Sequence, residues 1–282
     1  MEVIWTAAEI LAASERARAQ GHTVGLVPTM GAFHGGHVSL MRRARAEREL
    51  LIVSLFVNPL QFGDPNDLAV YPRDEEADLA VAERGRVDVL FAPSAEEMYP
   101  AGEPEIVIDP GPLGERLEGA ARPGHFRGVA TAVAKLFHAV GRCAAYFGEK
   151  DAQQLAVIRR MVRDLSFPVE VVPCPTVREP DGLALSSRNS RLTPEQRDAA
   201  PCLFLALSEA AAAARAGERD TATLVAIMAR EIGATPQARL DYAAVVDDET
   251  FEEIGTIERP ARALVAAGFG EVRLIDNLLL PS

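Results

Sequence analysis

The stretch V-G-L-V-P-T-M-G-A-F-H-G-G-H, Val24 to His37, decides how the whole chain reads. Val24 to Val27 is an apolar run of strand length, and Pro28, which cannot donate to a sheet ladder, is expected to end it. Gly31, Gly35 and Gly36 make a bend, and Val38-Ser39-Leu40-Met41 then opens a helix-like stretch. Strand, tight loop and helix start is an arrangement at which α/β proteins bind phosphates. The first N–H groups of a helix lack partners, and the helix dipole favours anions. Glycine lets a backbone approach its ligand closely. His34 and His37 lie in this bend. The loop is not G-x-G-x-x-G, which disfavours a dinucleotide fold for hydride transfer. No Glu follows as in H-E-x-x-H, so zinc ligation by the pair is also disfavoured. Imidazoles acting on phosphates are the reading these residues support.

Outward from the loop, the strand–loop–helix pattern repeats. Thr6-Ala7-Ala8-Glu9 reads as a capping box for a helix running to Gln20, with Gly21 as its stop. The helix after His37 is expected to reach about Arg48. Leu50 to Val57 has the near-continuous apolar character of a strand covered on both faces, and it runs into Asn58-Pro59-Leu60-Gln61-Phe62-Gly63. A polar stretch, Asp64 to Asp67, leads to Tyr71-Pro72-Arg73. A helix is expected over Asp74–Arg84 and a strand over Val87–Ala92. Such alternation implies a parallel sheet covered by helices, with ligands beyond the carboxyl ends of its strands.

Glu105 to Asp109 reads as a short strand and Leu117 to Gly128 as a charged, glycine-rich loop. Val129–Val140 reads as a helix and Ala144–Phe147 as a strand. Gly148-Glu149-Lys150-Asp151 is a turn at a second helix start, again suited to a phosphate. Leu155, Ile158, Met161, Val162 and Leu165 mark one face of that helix, and Val169–Val172 is a further strand. Prolines 173, 175 and 180 punctuate a linker, so a boundary is placed near Thr176, giving domains 1–176 and 177–282. In the second domain, Leu185-Ser186-Ser187-Arg188-Asn189 precedes a capping box, Thr193-Pro194-Glu195-Gln196, that opens an alanine-rich helix to about Ala216. A helix over Thr221–Ile232 and strands over Leu240–Val246, Arg262–Ala267 and Val272–Asn277 complete it.

Composition narrows the function classes. The 282 residues carry 29 Lys+Arg against 41 Asp+Glu, a formal net charge of -12. A broad nucleic-acid or anionic-membrane surface needs clustered basic residues, so neither partner is expected. The 3 Cys, Cys143, Cys174 and Cys202, have no C-x-x-C spacing and form no disulfide framework. The N-terminus, M-E-V-I-W-T-A-A-E, does not read as a secretory signal, so none is expected, and no apolar run approaches ~20 residues. A cytoplasmic location is expected.

Seven motifs carry a resemblance to a known family. They are P-T-M-G-A-F-H-G-G-H at Pro28–His37, F-V-N-P-L-Q-F at Phe56–Phe62, Y-P-R at Tyr71–Arg73, R-P-G-H-F-R-G-V at Arg122–Val129, F-G-E-K-D-A-Q-Q at Phe147–Gln154, L-S-S-R-N at Leu185–Asn189 and R-L-I-D-N at Arg273–Asn277. Together they resemble the pantoate–β-alanine ligases (pantothenate synthetases), members of the H-x-G-H nucleotidylyltransferase group. H-x-G-H alone indicates only nucleotide transfer, and N-P-x-Q-F with G-x-K-D-x-Q-Q makes the match specific.

The resemblance implies an α/β fold: a Rossmann-type, doubly wound parallel sheet with a smaller α+β C-terminal lid, in a homodimer. It implies that pantoate, β-alanine and ATP, with Mg²⁺, give pantothenate, AMP and pyrophosphate through pantoyl adenylate. It places Met30, Gly31, Ala32, Phe33, His34, Gly35, Gly36 and His37 on ATP, with His34 and His37 at the phosphates. Gly148, Glu149, Lys150, Asp151, Val177, Leu185, Ser186, Ser187 and Arg188 would also hold ATP. Lys150 and Arg188 join the two histidines as catalytic residues. Gln61 and Gln154 would bind pantoate, Gln61 would also neighbour β-alanine, and Asp78 matches an acid near Mg²⁺. The chain departs from the common family pattern at Phe33, Gly35, Ala77, His138 and Gly141-Arg142-Cys143. None of these departures removes a residue assigned to catalysis.

Overall fold

The β-loop-α repeat folds as its strands demand: near-continuous apolar segments can only be buried with helices on both faces. The structure is a computed structural model that describes residues 1–63, 68–69, 71 and 73–281. The polar stretch 64–67 and Pro72 of the Tyr71–Arg73 motif lie outside the described residues. By its contacts the chain forms two compact units, Met1–Glu149 with Gln153–Pro175, and Lys150–Ala152 with Thr176–Ser282.

In the first unit, six strands among the described residues form one parallel sheet: β1 (Glu2–Ile4), β2 (Val24–Thr29), β3 (Leu50–Leu55), β4 (Val89–Phe91), β5 (Cys143–Gly148) and β6 (Val169–Cys174). Their order is β1-β4-β3-β2-β5-β6. The direction in which strands are added to the sheet reverses between β2 and β5, and the crevice beyond such a switch point is where open α/β sheets take ligands. The loop after β2 is Met30–His34, and the turn after β5 begins at Glu149. Helices α1 (Ala7–Ala19), α2 (Gly35–Glu47), α3 (Glu75–Arg84), α4 (Ala95–Met98), α5 (Glu118–Ala121), α6 (His125–Val140) and α7 (Ala152–Asp164) accompany the sheet. Val27, Leu40, Met41, Leu51, Val53, Leu90 and Tyr146 belong to one buried cluster.

The second unit holds an antiparallel sheet of β7 (Arg239–Asp247), β8 (Ala261–Phe269) and β9 (Val272–Leu280), with β8 central and buried along its whole length. After the short helix α8 (Pro194–Ala199), helices α9 (Cys202–Arg215) and α10 (Thr221–Gly233) pack alanine, leucine and methionine side chains on it.

Several expectations need correction. Pro28 does not end β2. Beyond Leu26 the strand pairs only with β3, so the missing N–H costs no bond to β5. Glu105–Asp109 forms no strand, and Ile106 is 90% exposed. Strand β1 lacked a recognisable pattern because it is three residues long and lies at the sheet edge. The alanine-rich helix is two helices, divided around Ala200 and Pro201. Helix α6 begins four residues before Val129, with Gly124 at φ 79° as its N-cap. The Thr193/Gln196 box forms in both directions, at 3.3 and 3.0 Å.

Candidate active site

The decisive loop is built differently from a main-chain phosphate cradle. Gly31 and Ala32 both take positive φ, 83° and 51°, which turns successive N–H groups inward. The Ala32 N–H donates to Asp78 Oδ2 at 2.8 Å and the Phe33 N–H to Asp78 Oδ1 at 2.7 Å. The Gly31 N–H donates to the Thr29 hydroxyl at 3.3 Å, and that hydroxyl is anchored on the Ser54 carbonyl at 2.6 Å. A Cβ at Gly31 would stand 2.7 Å from Asp78 Oδ2, so the carboxylate sits where only glycine fits.

Helix α2 starts at Gly35, three residues before the expected point, and this changes the meaning of the histidines. His34 is its N-cap: Nδ1 accepts the Gly36 N–H at 3.1 Å. His37, in the first turn, accepts the His34 N–H on its own Nδ1 at 3.4 Å. A ring nitrogen that accepts carries no proton, so in the neutral rings Nε2 holds it. Both imidazoles are thereby set as Nε2–H donors. Their centroids are 4.2 Å apart, with the Phe33 ring edge-on to His37 at 5.6 Å.

Gln61 stands at the end of a 3₁₀ turn, Pro59–Gln61, capped by the Asn58 side chain. It is held at both ends. Its Oε1 accepts Asn58 Nδ2 at 3.1 Å, while its Nε2 faces Met30 Sδ at 2.9 Å. Its carbonyl receives His125 Nδ1 at 2.9 Å, with Arg122 against the other ring nitrogen at 3.1 Å. A Cβ on Gly128 would lie 2.3 Å from the Leu60 carbonyl oxygen, so α6 presses directly on this turn. Gln154 is half-buried on α7. Its neighbour Gln153 is buried and structural, bonding the Leu113 and Arg116 carbonyls and the Glu118 N–H.

Asp78 is 4% exposed, and both its oxygens serve loop N–H groups. Among the described residues, no group of three or more His, Cys, Asp or Glu could hold a metal ion. Mg²⁺ demands octahedral oxygen ligation, commonly shared between one or two carboxylates, water and substrate phosphates. Asp78, with both oxygens already on loop N–H groups, is not by itself a complete ligand set for such an ion.

In the second unit, Lys150 lies beside Asp151, with Nζ 3.6 Å from Oδ1. Its carbonyl accepts Asn277 Nδ2 at 2.9 Å, and Asn277 Oδ1 accepts Arg262 at 2.7 Å. Arg178 grips Asp276 with two bonds, 2.6 and 2.9 Å, and stacks over Phe204 at 4.3 Å. These contacts fasten R-L-I-D-N to the strand-like segment before the Ser-Ser-Arg turn. There the Leu185 N–H meets the Val177 carbonyl at 2.9 Å. Ser186 caps the 3₁₀ turn Ser187–Arg191 by accepting the Arg188 N–H at 3.3 Å, and Ser187 and Arg188 are half-buried.

The sequence pattern of the pantoate-beta-alanine ligase family matches residues 2–279. The chain belongs to this family. It is 55% identical to the pantothenate synthetase of Rubrobacter xylanophilus over 280 residues, covering 97% of this chain and 96% of that one. The crystal structure of pantothenate synthetase from Thermus thermophilus superposes with a TM-score of 0.92 at 50% identity, covering 100% of both chains. The pantoate-beta-alanine ligase of Francisella tularensis, complexed with beta-gamma ATP and beta-alanine, gives a TM-score of 0.80 at 34% identity, covering 99% of this chain and 97% of that one. The chain is accordingly a ligase that joins pantoate to β-alanine.

Sequence reasoning gave Asn58, Tyr99, Arg122 and His125 no individual role. Three of them lie in quoted motifs, and Asn58 is three residues from Gln61, yet nothing in spacing links Tyr99, Arg122 or His125 to Gln61, which is 64 residues from His125. Among the described residues, no helix is long and apolar enough to cross a membrane.

Proposed function

We propose that the chain performs its ligation in two steps on MgATP. The pantoate carboxylate attacks the α-phosphorus, forming a carboxyl–phosphate anhydride and releasing pyrophosphate. The β-alanine amine then attacks the acyl carbon; the C–N bond forms, AMP leaves with the shared oxygen, and the amine proton passes to solvent. The Mg²⁺ arrives with the nucleotide as part of the substrate.

The geometry that supports this reading is the pair of imidazoles at the start of α2, each accepting a backbone N–H on Nδ1, which assigns the neutral ring's proton to Nε2. Negative charge develops on the α-phosphate and on the departing pyrophosphate. Donors whose direction is fixed beforehand stabilise it without reorganising, and removing one such donor costs roughly 10²–10³ in rate. His34 and His37 supply those donors, assisted by the positive end of the α2 dipole. The N–H groups of Gly31, Ala32, Phe33, His34 and Gly36 are engaged within the chain, so imidazole supplies donors that main-chain amides do not.

Met30–His37, Gly148–Asp151, Val177 and Leu185–Arg188 are assigned to ATP. Lys150 supplies a point charge and Arg188 a planar fork for its phosphates, with Ser186 and Ser187 as hydroxyl donors. Gln61 and Gln154 are assigned to pantoate, and Gln61 also to the neighbourhood of β-alanine. Asp78, sequence-matched to an acid near Mg²⁺, is assigned instead to anchoring the nucleotide loop. Family likeness supports a homodimer, testable by sedimentation. Three cysteines without disulfides suit a reducing cytoplasm.

The test is product analysis with ATP, pantoate and β-alanine, omitting each in turn. AMP, pyrophosphate and pantothenate in equal amounts, all dependent on pantoate, support the reading. ADP and phosphate as products would refute it.

A further inference from the structure

An amide side chain can meet a ligand as donor or as acceptor, and the residues behind Gln61 decide which. Asn58 is 2% exposed, between backbone groups that can each act in only one way. The Leu60 N–H can only donate, and it meets Asn58 Oδ1 at 3.2 Å. The Gly128 carbonyl can only accept, and it takes Asn58 Nδ2 at 3.1 Å. These two partners fix the Asn58 amide against a flip. The second Nδ2 proton then goes to Gln61, which must answer with Oε1, 3.1 Å away. Gln61 is left with its NH₂ end turned towards Met30.

Tyr99 closes this chain from behind. Its hydroxyl lies 2.9 Å from Asn58 Oδ1, an atom with no proton to give, so the hydroxyl must donate. The residue is 6% exposed, its ring is tilted against Phe56 at 6.0 Å, and Lys135 Nζ lies 5.8 Å from its centroid. Burial raises the phenol pKa, keeping the donor protonated.

We propose that Tyr99 is a positioning residue for the acid substrate: its hydroxyl reinforces the Asn58 amide that the Leu60 N–H and the Gly128 carbonyl orient, and so steadies Gln61 with its NH₂ end presented to the ligand. The subsite therefore takes an oxygen that accepts, a carboxylate or a hydroxyl lone pair, and rejects a group that can only donate. The proposal rests on the assignment of Gln61 to pantoate.

The experiment is a double-mutant cycle on Tyr99→Phe and Gln61→Ala. Pantoate affinity is read by calorimetry in the presence of a non-hydrolysable ATP analogue. Affinity for the analogue and the thermal midpoint are measured alongside. Tyr99→Phe is expected to weaken pantoate about threefold to tenfold, the effect of one hydrogen bond, and to leave the analogue's affinity unchanged. In the Gln61→Ala background the same substitution should have almost no effect on pantoate, because coupled residues are not additive. Asn58→Asp, equal in shape but without the donor end, should turn Gln61 Oε1 outward and weaken pantoate more than Tyr99→Phe does.

Equal weakening by Tyr99→Phe in both backgrounds, or equal weakening of pantoate and the analogue, would overturn the relay. Unchanged pantoate affinity in Tyr99→Phe would overturn it too, while leaving the Gln61 assignment intact. Unchanged affinity in Gln61→Ala would remove that assignment and the relay with it.

Discussion

The His34 N–H is directed at Nδ1 of His37, 3.4 Å away, and His34 Nδ1 in turn holds the Gly36 N–H. The two histidines cap their own helix and, by doing so, fix which nitrogen of each ring carries the proton. The H-x-G-H arrangement thus has a structural half, Nδ1 towards the backbone, and on the proposed reading a chemical half, Nε2–H for the phosphates. On the proposed reading, losing His37 removes a donor from the phosphates, while the long 3.4 Å cap bond contributes little to folding. His37→Ala should lower single-turnover adenylate formation by about 10²-fold or more. Its denaturant midpoint should show a loss of no more than about 1 kcal/mol. Near-normal adenylate formation in that variant would contradict the role.

Asp78 gives a second prediction, because anchoring and metal ligation have different signatures. Asp78→Asn would set an NH₂ group against one of the two loop N–H donors now held at 2.8 and 2.7 Å. Leaving one of these buried donors without an acceptor should destabilise the protein by about 1–3 kcal/mol. The ATP requirement should rise as the loop shifts, while the Mg²⁺ dependence, measured at saturating nucleotide, stays that of the parent. A selective rise in the Mg²⁺ requirement would restore Asp78 as a ligand.

Gly128 tests the platform beneath Gln61. A Cβ there would lie 2.3 Å from the Leu60 carbonyl oxygen and 2.7 Å from the Gln61 nitrogen, both backbone atoms that cannot swing aside. Gly128→Ala should cost about 1–3 kcal/mol of stability, as overpacking does. It should raise the pantoate KM more than the ATP KM. Equal changes in both would mean that the turn does not serve pantoate.

The thiols provide a check independent of activity. Burial pushes Cys143 up to about 12 and Cys174 up to about 11, and raises the half-buried Cys202 as well. Thiolate is the reactive form, so the native protein at pH 8 should react sluggishly with a disulfide reagent. All 3 thiols should titrate after denaturation. Rapid native reaction of Cys143 would contradict its place in β5.

Much of this was legible in the sequence, and the failures have physical causes. Long amphipathic segments such as Thr221–Gly233, and apolar runs such as Leu50–Leu55, carry enough period or length to read directly. Strand β1 does not, because three residues show no period and only pairing with β4 makes them a strand. Pro28 misled because its cost depends on whether a second neighbour is present, which is a property of the sheet. In the site, the motifs located His34, His37 and Gln61, but spacing suggested a helix beginning after His37. The cap at His34 depends on Nδ1 geometry. The supports of Gln61 come from 41 and 64 residues away along the chain, at Tyr99 to Asn58 and at His125 to Gln61, where no local pattern reaches.

Pantoate-dependent exchange of labelled pyrophosphate into ATP, with β-alanine absent, tests the central claim most directly. If the carboxylate is activated as an adenylate before the amine reacts, exchange proceeds with pantoate alone and falls by about 10²-fold or more in His37→Ala. An active preparation that exchanges pyrophosphate only when β-alanine is also present, or without any pantoate, would contradict the account.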